Sequence, residues 1–88
     1  MKPVDFDKKF VKHYKFRIQK QPKLSKQYDS RYALFCNGER GWPLDDHPLG
    51  GDKSGLRAFS ITGDIRVVYK ETPGAYVFLD VGSHNQVY

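Results

Sequence analysis

The chain has 88 residues, a formal net charge of +5, 39% hydrophobic residues and an aromatic set of six Tyr, six Phe and one Trp. So short a chain buries about 60–65% of its unfolded surface and makes one domain spanning residues 1–88, while the aromatic content excludes a disordered tail. The lone Cys36 closes no internal disulfide, no run of about eighteen apolar residues is present, and Met1-Lys2-Pro3-Val4-Asp5 lacks an apolar signal stretch, so a cytoplasmic protein is expected.

The charge is unevenly placed. Residues 1–44 carry eleven Lys or Arg against four acids, for +7, and residues 45–88 carry four against six, for −2. Eight of the cations lie between Lys8 and Lys26, where no acid interrupts them. Such a cluster attracts a polyanion by counterion release, or forms a solvated helix face.

In chain order, Phe6, Phe10, Tyr14 and Ile18 recur every four residues, with Lys8, Lys9, Lys12 and Lys15 on other faces, which predicts an amphipathic helix capped by Asp5 or Asp7. Gln21-Pro22 ends it and suits the first turn of a second helix, whose stripe is Leu24, Tyr28, Tyr32 and Phe35 and whose stop is Asn37-Gly38. Residues 38–55 are rich in Gly, Pro and Asp and read as an ordered loop. Three strands follow at Leu56 to Ile61, Ile65 to Lys70 and Ala75 to Val81, separated by Thr62-Gly63 and Thr72-Pro73-Gly74. The expected fold is α+β: two N-terminal antiparallel helices packed on a small twisted antiparallel sheet of three to four strands, with a short edge strand near residues 2–5. Strand alternation predicts that the aliphatic row Ala75, Val77, Leu79 and Val81 faces the helices.

Three histidines are available for chemistry. His13 lies in the basic helix and reads as a surface or half-buried residue. His47 precedes the sheet and His84 follows the last strand, both in segments expected to hang over a sheet edge. Imidazole titrates near neutrality, so two such groups near an arginine suit RNA cleavage, while turn histidines bonded to backbone are the bland alternative. No paired Cys or His-Glu-x-x-His spacing calls for a metal, and no cofactor is expected. Gly50-Gly51-Asp52-Lys53-Ser54-Gly55 lacks the spacing of a phosphate loop and reads as a turn. Cys36, beside Phe35, reads as a buried thiol.

Four blocks in order carry a family resemblance: Asp46-His47-Pro48-Leu49, Gly55-Leu56-Arg57-Ala58-Phe59-Ser60-Ile61, Gly63-Asp64-Ile65-Arg66-Val67-Val68-Tyr69-Lys70, and Val81-Gly82-Ser83-His84-Asn85-Gln86-Val87-Tyr88. Over residues 45–88 the chain resembles the RelE/ParE-superfamily toxins, most closely the YafQ-like messenger RNA interferases. The resemblance implies a RelE-like toxin of a type II toxin–antitoxin system, neutralised by an antitoxin, that cuts messenger RNA on the ribosome without a metal and so inhibits translation. By position, it implies His47, Asp64, Arg66, His84 and Tyr88 as site residues. Ser60 stands where the branch has another histidine, and Ile65 where it has an aromatic.

On this reading His84 and the pair His47 and Asp64 transfer protons, Arg66 clamps the phosphate, and Tyr88 stacks on a base or donates to the phosphate. Lys8, Lys9, Lys12, Lys15 and Arg57 would contact RNA, the ribosome or an acidic antitoxin. A gyrase-directed toxin and a non-catalytic RNA-binding module share the same scaffold and stay open as alternatives.

Overall fold

In a computed structural model that describes residues 1–88, strand β1 (Val4–Phe6) leads into helix α1 (Lys8–Tyr14). The Asp7 carboxylate accepts the Lys9 backbone N–H at 2.9 Å and caps α1. A π-helical turn, Lys15–Gln19, extends it. The turn has a clear use. Apolar residues spaced by four overshoot a 3.6-residue turn by about 40° per step, and a wider turn brings Ile18 back under Phe10 and Tyr14. Phe10 and Ile18 are buried and Tyr14 packs beside them.

Helix α2 (Pro22–Cys36) starts with Pro at its first position and ends in a Schellman motif. Gly38 adopts φ of +87°, its N–H bonds to the Phe35 carbonyl at 3.0 Å, and the Glu39 N–H bonds to the Leu34 carbonyl at 3.0 Å. The stripe foreseen on α2 is the buried one. Phe35 is fully buried, with the rings of Phe59, Tyr69, Tyr76 and Phe78 centred 5.0 to 5.3 Å away. Truncating such a side chain to Ala costs about 3–5 kcal/mol, so this contact alone is a large share of the hold between helix and sheet.

The sheet has five strands, not three or four, in the order β1-β5-β4-β3-β2. The others are β2 (His47–Pro48), β3 (Arg57–Ser60), β4 (Ile65–Glu71) and β5 (Tyr76–Ser83). It is mixed rather than antiparallel, because β1 pairs parallel to β5, Val4 opposite Tyr76 and Phe6 opposite Phe78. Phe6 therefore belongs to a strand and not to the first helix. Its ring still meets Phe10 at 5.5 Å and Phe78 at 5.6 Å, which is why it completed the helical stripe in the sequence pattern. After β5 the chain does not trail off. Ser83 caps a short third helix, α3 (His84–Val87), through a capping box in which the Ser83 N–H donates to Gln86 Oε1 at 2.7 Å.

The face assignment on β5 holds at Val81 and is reversed before the bulge. Tyr76, Phe78 and Val81 pack toward the helices, not the aliphatic row of Val77 and Leu79. The cause is a register shift at Val68 and Tyr69, whose partners are Asp80 and Phe78, so that Leu79 is an extra residue in its strand. One inserted residue exchanges the faces of everything before it. The same irregularity brings the buried Asp80 carboxylate to α1 and its π-helical extension, where His13 Nδ1 lies 2.6 Å away and Lys9 Nζ and Arg17 Nη1 each 3.6 Å away. His13 is thus half-buried and tied to the sheet.

Candidate functional site

The loop before the sheet is held by a carboxylate. Asp46, whose side chain is fully buried, accepts Arg57 Nε at 2.7 Å and the Tyr69 hydroxyl, while its backbone N–H bonds to the Arg40 carbonyl at 2.9 Å. Burial, then the bond to Asp46, pushes the Tyr69 hydroxyl above its ordinary pKa, and the same carboxylate raises that of the Arg57 guanidinium. Arg57 is therefore committed to Asp46, and Asp46 pins the segment that presents His47 on β2. Asp45 sits in the left-handed region at φ of +46°, a conformation that Asp tolerates better than most residues. Its carbonyl lies 2.8 Å from His47 Nδ1. A carbonyl can only accept, so Nδ1 is the donor in this bond and Nε2 is the ring nitrogen left for other contacts.

Strand pairing then sets a row across the sheet. Ser60 on β3 lies opposite Arg66 on β4, and Arg66 lies opposite Gly82 on β5. His47 comes before this row on the edge strand β2, and His84 comes after it at the start of α3. Arg66 is the hub. Its guanidinium stands 5.9 Å from the Tyr88 ring centre, and Tyr88 meets the His84 ring edge-to-face at 4.5 Å. The His84 backbone N–H points to Asp64 Oδ1 at 3.5 Å, and Asp64 and His84 are both exposed. The structure therefore gathers Asp64, Arg66, His84 and Tyr88. It pairs Asp64 with the start of α3 rather than with His47, with which it shares no hydrogen bond.

On its other flank Arg66 lines a cleft of about 390 Å³ with His47, Ser60, Asp45, Trp42, Gln27 and Arg31, where the β3–β4 turn meets α2. Two donors there are left over. The Nε atoms of Arg31 and of Arg66 are both buried and bond to no acceptor in the protein. A smaller hollow of about 370 Å³ lies between Tyr88 and the loop at Leu49, Gly50, Asp52 and Lys53. No three His, Cys, Asp or Glu side chains converge closely enough to hold a metal ion.

Sequence reasoning missed Arg31, Gln27 and Trp42. Gln27 and Arg31 are one turn apart on α2, and Arg31 falls at the margin of the arc marked by Leu24, Tyr28 and Phe35, a place where a cation is out of pattern. The helix that positions His84 and Tyr88 was missed as well, although Ser83 followed three residues later by Gln86 is a legible helix start.

A family model described as "Bacterial toxin of type II toxin-antitoxin system, YafQ" matches residues 2–88. No curated protein matches the chain. Among solved structures, YafQ from E. coli superposes with a TM-score of 0.83 at 23% identity, covering 100% of this chain and 99% of that one. The E. coli DinJ-YafQ toxin-antitoxin complex gives 0.80 at 25% identity, covering 99% and 97%. A metal-bound toxin from Helicobacter pylori gives 0.76 at 21% identity, covering 100% of both chains. No helix of the chain is long and apolar enough to cross a membrane.

Proposed function

The chain belongs to the YafQ family of bacterial type II toxin-antitoxin toxins, and from that premise we propose that it is an endoribonuclease that cuts messenger RNA around Arg66. The observation that carries this reading is the buried, unpaired Arg66 Nε between two histidines set on opposite sides of it in strand order. In-line displacement at phosphorus needs its base and acid on opposite sides of the phosphate, and histidines flanking Arg66 in strand order support that assignment. His47 Nε2 takes the proton from the ribose 2′-hydroxyl, whose oxygen attacks the adjacent phosphorus. The bond from phosphorus to the 5′-oxygen breaks, and His84 gives that oxygen its proton. The products are a 2′,3′-cyclic phosphate and a 5′-hydroxyl. Arg66 holds the phosphate oxygens as charge builds on them, and Tyr88 stacks on a base. Asp64 acts as a positioning residue through the His84 backbone N–H.

Loss of one acid–base group should cost about 10² to 10⁴ in rate. His84→Ala, assayed on messenger RNA with and without ribosomes, should fall by that factor while its unfolding midpoint holds. Equal cleavage by parent and variant, or induction in a bacterium that triggers a DNA-damage response with intact transcripts, would falsify the proposal.

The partner we propose is an antitoxin in the cytoplasm, as DinJ is to YafQ in the E. coli complex. Exposed Phe6, Val11 and Phe16 alternate with Lys8, Lys12 and Lys15 along one groove, and apolar groups among cations suit an acidic amphipathic protein segment better than bare RNA. Lys9, close to Asp80, is less free to serve there. Reversing Lys8, Lys12 and Lys15 to Glu should weaken antitoxin binding and flatten its salt dependence; unaltered binding returns these lysines to plain solvated surface.

A further inference from the structure

The cleft on the far flank of Arg66 has a composition that proton transfer alone does not explain. It holds two guanidinium groups, from α2 and from β4, each with a buried Nε that donates to nothing. An N–H buried without an acceptor is destabilising, and one such group per cleft is already unusual. Neither guanidinium forms an ion pair within the protein, so the two cations on this lining are left to meet an acceptor that arrives from outside. Because both donors are cationic, the acceptor that best offsets them is an anion with several oxygens, the geometry in which guanidinium bonds are strongest.

Beside them stands Trp42, 86% exposed. A side chain with so much apolar surface is normally turned inward, and its exposure at the rim of a cationic cleft is the arrangement used to stack a nucleobase. The remaining lining is polar, with Gln27, Asp45 and His47 able to bond to hydroxyl or amino groups. At about 390 Å³ the space falls in the range of small-ligand sites, roughly 300–1,000 Å³.

We propose that this cleft is a nucleotide subsite: it takes the RNA nucleotide next to the cleaved bond, with its phosphate between Arg31 and Arg66 and its base against Trp42. The inference rests on the ribonuclease reading and extends it. It assigns α2 a part in substrate binding, makes Arg31 a second phosphate contact, and makes Trp42 the residue that senses the neighbouring base. A carboxylate from a protein partner would meet the same two arginines, but it gives the exposed indole nothing to stack on.

Trp42 is the chain's one tryptophan, so its intrinsic fluorescence reports on the site directly. The test uses the full chain in its His84→Ala form, which should bind without cutting, and titrates adenosine 3′,5′-bisphosphate and a short RNA 2′-O-methylated at each ribose. Saturable quenching is expected, with inorganic phosphate competing. Arg31→Gln should weaken binding about tenfold or more, and Arg31→Lys should recover only part of it. In the otherwise unaltered enzyme, Trp42→Ala should raise KM about tenfold with most of the loss in KM rather than kcat. Circular dichroism establishes that each variant is folded. No saturable quenching, or quenching that Arg31→Gln leaves unchanged, overturns the subsite. Quenching by an acidic peptide but not by nucleotide assigns the cleft to a protein partner and also overturns it. The two readings fail separately. If Arg31→Gln and Trp42→Ala leave KM alone while His84→Ala abolishes cleavage, the subsite is wrong and the nuclease stands. If nucleotide binds as expected and the parent cuts no RNA, the nuclease reading falls and the site remains.

Discussion

Arg57 and Arg66 lie on adjacent strands, carry the same group, and have opposite surroundings. Arg57 Nε meets a fully buried carboxylate at 2.7 Å, and Asp46 takes a second bond from Tyr69. Arg66 Nε is buried and meets no acceptor. The first arrangement pairs the buried carboxylate and holds the loop that carries His47; the second leaves a buried donor unpaired at a cost in stability. The contrast separates a cation spent on holding a loop from one left without a carboxylate partner. Charge counting alone treats the two as equal.

Substitution should break the comparison cleanly. Arg66→Leu should lower RNA cleavage by about 10² to 10³, the usual effect of removing one donor that stabilises developing charge. Its midpoint in urea should stay level or rise, because the change removes an unpaired buried group. Arg57→Leu should do the reverse. It strands Asp46, and removing one partner of a buried pair costs about 3–5 kcal/mol, reduced here to about 2–3 because the Arg57 side chain is 38% exposed. A common loss of stability in both variants would erase the distinction.

A smaller effect is expected at Gly82, which lies opposite Arg66. A Cβ there would stand 2.6 Å from Gln86 Oε1 and 2.7 Å from Arg17 Nη1. Both are ends of long side chains, but each is engaged, Gln86 with the Ser83 N–H and Arg17 with the Val81 carbonyl at 3.0 Å. Gly82→Ala should therefore cost about 1–3 kcal/mol, as overpacking generally does, and should disorder α3 before the rest of the sheet. Amide exchange at Val87 and Tyr88 reads that directly.

The smallest effect lies far from the site. Lys2 bonds to Glu71 and holds its carboxyl below the usual carboxylate range. A carboxyl with a lowered folded pKa contributes stability that is present above its unfolded pKa and is lost as pH falls through the folded one. Lys2→Met should flatten this part of the acid limb in a melting profile and leave neutral cleavage alone. An acid limb identical in parent and variant removes the pair from the account.

Much of the fold was legible because the signals were local. Asp7, Pro22 and Gly38 mark helix ends through bonds that span only a few residues, and the α2 stripe follows from the helical period. The face of β5 was not legible, since the extra Leu79 is defined only against its partner strand. Of the site, His47, Asp64, Arg66, His84 and Tyr88 were placed by resemblance, and the structure gathers the last four while setting His47 across Arg66. Arg31 and Trp42 were invisible. Their neighbours in sequence say nothing of a cleft whose other wall is built by β3, β4 and the turn between them.

By itself, then, the amino-acid sequence determined the cap of the first helix, both ends of the second, the basic first half and the family, all properties of short segments or of their order. Tertiary structure decided which arginine is spent on a buried carboxylate and which is left free, because burial and pairing are relations between distant segments. The +5 is one total; its use depends on which acceptors the fold brings within bonding distance.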